Sequence, residues 1–184
     1  MRRKRFAFNR EKFKRLVHYV IWRAGERDGF GAVKLNKVLW FSDARAFMLR
    51  GKPITGASYI REKWGPVPRP LMPIREELER EGAIKVWTDR HFDFPSIRFQ
   101  ALRAPVELNI FDADEIKTVD WWIEHIDKDH TASSASEESH DYAWEIAEMG
   151  EELPYHAVFA TRMRQPDDVE MEWARRRAKE LGLP

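Results

Sequence analysis

The sequence predicts a mainly α (α+β) fold: a compact helical domain with a central buried helix and a small inserted β-hairpin. Three observations predict it. Apolar residues Phe13, Leu16, Val17, Val20, Ile21 and Ala24 recur at helical spacing between Arg10 and Ala24. Between Val33 and Arg50 they cover most of the helix circumference, as expected of a helix that neighbours bury on every side. The runs "IKVWT" and "SIRFQAL" instead alternate, with Ile84 and Val86 matching Ile97 and Phe99 across a long "DRHFDFP" loop.

The elements follow in order. The first helix ends in "GERDGFG", and the second stops at Gly51 and Pro53. Tyr59 and Ile60 belong to a short extended piece. A helix over 73–81 faces Ile74 and Leu78 inward and closes at Gly82, ahead of the hairpin. "DADE" then offers Asp112 as N-cap with Glu115 three residues on, a capping box that opens a helix carrying Ile116, Val119, Ile123 and Ile126. "TASSASEE" fits a short helix or a loop. "DYAWEIAEMG" reads as a short helix closed by Gly150, "LPYHAVFATR" as one starting at Pro154, and Asp167–Leu181 as a last helix.

Composition narrows the class. The 184 residues are 43% hydrophobic with eight Trp and eleven Phe, enough for one sizeable core. The absence of cysteine removes disulfides, thiolate metal sites and thiol nucleophiles. No apolar run reaches bilayer length and no signal-peptide pattern follows the basic start, so the expectation is a cytoplasmic protein without membrane contact. The net charge of +1 hides a strong asymmetry. Residues 1–16 hold eight bases against one acid, whereas residues 105–156 hold two bases against fifteen acids. Such halves either complement each other or meet charged partners.

"KWGPVPRPLMP", Lys63 to Pro73, sets Pro66, Pro68, Pro70 and Pro73 within eight residues. Proline fixes φ and lacks the backbone donor, so the stretch is expected outside sheets and helix interiors. An interdomain linker would be flanked by polar sequence, yet Tyr59 and Trp64 precede it and an amphipathic helix follows. Pro70 and Pro73 make one P-x-x-P match, a weak signal. A rigid internal corner that presents Trp64 is the favoured reading.

Two blocks carry a family resemblance. In "VKLNKVLWFSDARAFMLRGKPITGASYIREKWGPVP", Lys34, Leu35, Asn36, Lys37, Leu39 and Phe41 fit a K-L-N-K-L-L-Y-F helix. Gly51 and Pro53 then fit a G-x-P-I turn, and Gly65 to Pro68 a Y-G-P-V-P corner, with Trp40 and Trp64 in place of tyrosines. In "SEESHDYAWEIAEMGEELPYHAVF", Ser139, His140, Trp144, Ala147, Gly150, Glu151, Pro154 and Tyr155 fit a second signature. The chain thus resembles the Panacea-domain family of SocA-like antitoxins. The resemblance covers residues 10–162, leaving a basic leader, 1–9, and a C-terminal helical tail, 163–184. It implies the antitoxin of a type II toxin–antitoxin system, which binds and neutralises a protein toxin encoded nearby. It also implies a second possibility, an adaptor that delivers a toxin to a protease.

Catalytic and metal motifs are weak. "SHD" at 139–141 is consecutive, whereas a triad converges in space, so helix capping and a local His140 hydrogen bond explain it better. "HIDKDH", with His125, Asp127, Asp129 and His130, spaces its histidines by five rather than four, and a solvated face is preferred to a zinc site. "GERDGFGAVK" lacks the G-K-[ST] of a phosphate loop. No enzyme activity, cofactor or metal is expected. A DNA-contacting regulator is the alternative, because the leader mixes bases with Phe6, Phe8 and Phe13, and the 73–81 helix with its hairpin has winged-helix order. Glu76, Glu77, Glu79 and Glu81 would repel phosphates from that helix.

The candidate partner-binding residues are Lys34, Asn36, Lys37 and Trp64 around the proline corner, and Ser139, His140 and Trp144 in the second block. Trp121 and Trp122 join them. Adjacent helix residues point about 100° apart, so one core does not easily take both. The acidic segment around them suits a basic toxin. Polar groups of the two blocks, if they meet, are expected to form a buried hydrogen-bond network.

Overall fold

Asn9 starts the first helix by accepting from the Lys12 amide at 3.0 Å, a side-chain N-cap. The structure is a computed structural model, and the residues it describes are 6–91, 94–128, 131, 134, 144–145, 147–162, 172 and 176–177. Helix α1, Arg10–Ala24, buries the six apolar residues of its stripe. Helix α2, Ala32–Arg50, is the centre of the fold and packs against α1, β2, α4 and the final 3-10 helix defined below. It ends at Gly51 in the left-handed conformation. Its far end reaches water, with Leu49 exposed, so the all-round burial expected from the sequence stops about one turn short.

The proline stretch differs from expectation. Strands β1, Tyr59–Glu62, and β2, Gly65–Pro68, form a hairpin, and β5, Glu152–Leu153, pairs with the other side of β1. Pro66 and Pro68 therefore lie inside a sheet, in an edge strand. Alternation explains how. The Arg69 amide, in line with residues 65 and 67, donates inward to the Ser58 carbonyl at 2.9 Å. The even positions, which lack N–H groups, then face away from the ladder, the one place where a strand tolerates proline. Pro73 sits in the first turn of α3, Leu71–Arg80, where its missing donor costs no helical bond.

The inserted hairpin is β3, Ile84–His91, and β4, Phe94–Ala101, antiparallel with Val86 opposite Phe99. The ladder continues to His91 opposite Phe94, so most of the expected loop is strand and only residues 92 and 93, outside the described residues, remain for the turn. Ile84 and Phe99 bury its inner face, and β3 and β4 pack against α3 and α1 respectively.

Helix α4, Ala113–Lys128, begins with the expected capping box: Asp112 accepts from the Glu115 amide at 2.8 Å, and Glu115 from the Asp112 amide at 3.0 Å. A 3-10 helix, Tyr155–Arg162, follows Pro154 directly and packs on α2. Nearly all of the expected helix over 167–181 and of "TASSASEE" falls outside the described residues. At the other terminus, Phe6 packs edge-on to Phe47 and Tyr155, and the Asn9 amide donates to Thr55 at 2.9 Å. Gly56 permits this contact. It has φ of 72°, and a Cβ there would lie 2.5 Å from the Ala7 carbonyl.

Candidate functional site

Asp43 is completely buried on α2. Its carboxylate accepts from the Thr55 amide at 2.7 Å, the Thr55 hydroxyl at 2.6 Å, the Tyr59 hydroxyl at 2.9 Å and the Tyr155 hydroxyl at 3.2 Å. Burial pushes the Asp43 carboxyl above its usual range while these donors pull the other way. Burial and the adjacent carboxyl hold both tyrosines well above their ordinary values. Tyr155 also donates to the Ala57 carbonyl at 2.5 Å. One carboxylate thus ties α2, the segment after it, β1 and the 3-10 helix together, with Trp40 stacked 6.0 Å from Tyr155. The network fixes the base of the β1–β2 hairpin.

The tip of that hairpin is fixed separately. Lys37 is almost wholly buried, and its ammonium donates to the Trp64 backbone carbonyl. Burial lowers the Lys37 pKa to about 7. The Trp64 ring points outward with 56% of the residue exposed, and the Lys63 ammonium lies 4.7 Å from its centroid. Trp144 donates from Nε1 to the Glu62 carbonyl at 3.2 Å, and the Arg61 guanidinium stacks 4.2 Å over its ring. Arg61 is held at both backbone groups, donating to Glu151 at 2.9 Å and accepting from Gly150 at 2.8 Å. Lys37, Trp64 and Trp144 therefore converge on one turn. Asn36 lies one residue from Lys37 with a buried, unpartnered Oδ1.

Lys34, Trp121 and Trp122 belong instead to the seam between α2 and α4. Lys34 donates to the Asp127 carbonyl at 3.2 Å and lies 3.5 Å from its carboxylate. Trp122 stacks on Phe41 at 4.5 Å and packs against the core, whereas Trp121 is 50% exposed, stacked on His125 at 4.8 Å with the Arg45 guanidinium 5.5 Å away. Only Trp122 reaches the core, and the two rings still touch edge-on, their centroids 4.7 Å apart.

A family model described as "Antitoxin SocA-like, Panacea domain" matches residues 35–145. The chain belongs to this family. Neither the curated proteins nor the solved structures give a match. The SocA-like match runs from the start of the central helix to Trp144 and Glu145, so it spans Asp43, Thr55, Tyr59 and the hairpin tip. Family membership supports an antitoxin role, with a toxin as partner.

Along α4 the acidic half of this SocA-like chain meets its own bases. Glu115 pairs with Lys12 at 2.7 Å, Asp120 with Arg23 at 3.4 Å, Glu124 with Arg27 at 2.7 Å and Asp127 with Arg27 at 3.0 Å. Arg27, and after it Lys128, lower the Glu124 carboxyl to about 2. On α3, Arg10 and Lys14 lower Glu77 to about 2. Internal complementarity thus accounts for the charge asymmetry on α4 without a basic partner. Of the "HIDKDH" cluster, His125 is stacked and Asp127 is paired, while Asp129 and His130 lie outside the described residues. Among the described residues no group of three metal-ligating side chains gathers, and no helix is long and apolar enough to cross a membrane.

Ser139 and His140 lie outside the described residues. Sequence reasoning missed Asp43, Thr55, Tyr59 and Arg61. One signal for Asp43 was present: an acid within a helix apolar almost all round must be buried, and a buried carboxylate demands donors. A cleft of about 780 Å³ runs beside the network, lined by Phe6, Phe8, Phe47, Arg69, Pro70 and Tyr155 among others. No pattern in the sequence marks it, because the terminal strap that forms one wall has no periodicity of its own.

Proposed function

We propose that this chain is the antitoxin of a type II toxin–antitoxin system and neutralises a cognate protein toxin by direct, stoichiometric binding, with residues 10–162 as the working unit. The observation that carries the reading is Trp64, an indole more than half exposed on a turn whose backbone is pinned by a buried lysine. An aromatic anchor held in place before binding loses little entropy when it inserts into a partner pocket. Trp64 and Trp144 are proposed to touch the toxin, with Trp121 as a second contact. Lys37 is proposed to position the first site, and Lys34 and Trp122 the second. Asn36, Ser139 and His140 are assigned to the same surface from their sequence blocks alone.

The test is to express the adjacent reading frame alone and then with this chain. Growth arrest relieved on co-expression, together with a complex on gel filtration, is the expected result. An adjacent product that stays lethal with no complex formed would sink direct neutralisation. The DNA-contacting alternative is weakened at its described bases, because Arg10, Lys12, Lys14 and Arg15 each pair with a carboxylate of this chain.

A further inference from the structure

The cations at the hairpin tip differ from those along α1. The Lys and Arg residues of α1 are each matched by a carboxylate, Arg10 and Lys14 by Glu77, Lys12 by Glu115, Arg15 by Glu107 and Arg23 by Asp120, and Lys34 at the start of α2 lies beside Asp127. At the tip, among the described residues, no carboxylate pairs with Lys37, Arg61 or Lys63. Lys37 meets only the neutral Trp64 carbonyl, Arg61 and Lys63 meet indole faces, and the Arg61 Nε is buried with no acceptor. The tip thus sets two cations without a carboxylate, Arg61 and Lys63, beside an exposed indole on one turn, with Lys37 buried beneath it.

We propose that the β1–β2 tip receives a short acidic segment of the toxin, an apolar side chain covering the Trp64 ring and one or two carboxylates meeting Arg61 and Lys63. The proposal rests on the antitoxin reading and adds to it the place of contact and the chemistry of the partner. The Arg61 guanidinium is held over the Trp144 ring with its backbone bonded on both sides, so it is preorganised for a carboxylate. Lys63 is exposed and lies within reach of the same indole as the anchor. A nucleic acid fits less well. Glu62 lies in the same strand, and Glu151 is bonded through its backbone to Arg61, so a continuous run of phosphates would meet carboxylates within a residue of the site. A single carboxylate or a short acidic stretch would not.

Two assays on the full chain test this. In the first, a fluorescein-labelled peptide of alternating Glu and Leu is titrated by anisotropy against wild type, Lys63→Glu, Arg61→Glu/Lys63→Glu and the remote control Lys85→Glu. The expected result is binding that weakens about tenfold or more in both tip variants, is unchanged in Lys85→Glu, and fades as salt rises. Lys63→Glu changes one exposed side chain and keeps the test valid should the double variant fold poorly. Equal binding by wild type and Lys63→Glu, or no peptide binding at all, overturns the proposal. So does displacement of the peptide by oligo-dT at lower concentration, which would assign the tip to nucleic acid. In the second assay the same variants are measured against the adjacent gene product. A complex that forms with wild type and keeps its affinity in the tip variants overturns the acidic-segment proposal while the antitoxin reading stands. If wild type forms no complex, the antitoxin reading fails on its own, and the peptide assay still decides the chemistry of the tip.

Discussion

The Tyr155 hydroxyl reaches the Asp43 carboxylate at 3.2 Å across 112 positions of sequence, joining the last part of the fold to its central helix. It is one of the links between the two blocks whose residues resemble one family, beside the Trp144–Glu62 bond and the β1–β5 pairing. A buried carboxylate with four donors is stable only as a set, since each donor offsets part of the cost of removing the charge from water. Tyr155→Phe is expected to lower stability by about 1.5–3 kcal/mol, the worth of a hydrogen bond to a charged acceptor. Asp43→Ala strips both Thr55 donors of their acceptor and leaves the two tyrosine hydroxyls only the Leu39 and Ala57 carbonyls, at an expected cost of about 3–5 kcal/mol. Urea unfolding followed by tryptophan fluorescence measures both. A smaller loss for Asp43→Ala than for Tyr155→Phe would show that the network does not centre on the carboxylate.

Lys37 makes stability depend on pH in a definite sense. Its folded pKa is lowered to about 7, whereas in the unfolded chain it returns toward the ordinary 10.5. Between those values the unfolded state holds a proton that the folded state has released, so stability rises with pH through that window. The slope is at most about 1.4 kcal/mol per pH unit. Above pH 10 the sign turns, because burial and Asp120 raise Tyr19 to about 12, and the folded chain then keeps a proton that the unfolded chain loses. Urea midpoints between about pH 7 and pH 9.5 should therefore climb for wild type, and the climb should flatten in Lys37→Met. An equal climb in both would place the titrating group elsewhere.

The capping box of α4 offers a local check. Asp112 accepts from the Glu115 amide and from Arg50 at 2.8 Å, and the two contacts draw its carboxyl below the usual range, the amide foremost. Asp112→Ala is expected to cost about 1 kcal/mol, chiefly the cap, because the Arg50 pair is exposed. Asp112→Asn should recover most of that loss, since its amide oxygen still caps. Thermal melts of the two variants suffice to compare them.

Local signals were legible in the sequence and long-range ones were not. The α1 stripe, the Gly51 stop and the Asp112–Glu115 cap each depend on residues within a few positions of one another, and each stands where its pattern placed it. The proline stretch misled because its even spacing matters only beside a neighbouring strand. Pro66 and Pro68 are tolerated since β1 lies on the opposite side of their missing donors, a fact of pairing rather than of propensity. At the site, Lys37 and Trp64 were recognisable as motif positions, but the bond between them crosses 27 residues. Arg61 carried no signal at all, because a cation beside an indole acquires meaning only once Trp144 folds onto it.

Trp121 and Trp122 give the sharpest contrast between packing and surface. Trp122 stacks flat on Phe41 at the seam of α2 and α4, with a buried Nε1 that finds no acceptor. Trp122→Ala therefore removes a large apolar contact and leaves a void, at an expected cost of about 2–4 kcal/mol. The unpartnered Nε1 trims that cost, and Trp122→Phe, which keeps the ring stack and drops the orphaned donor, should lose no more than about 1 kcal/mol. Trp121 spends half its surface on water and the rest on His125, Arg45 and the edge of Trp122, so Trp121→Ala should cost about 1 kcal/mol, well below Trp122→Ala. If Trp121 is a second toxin contact, its alanine variant will melt close to wild type and lose affinity for the adjacent gene product. Unchanged affinity in that folded variant would confine recognition to the hairpin tip.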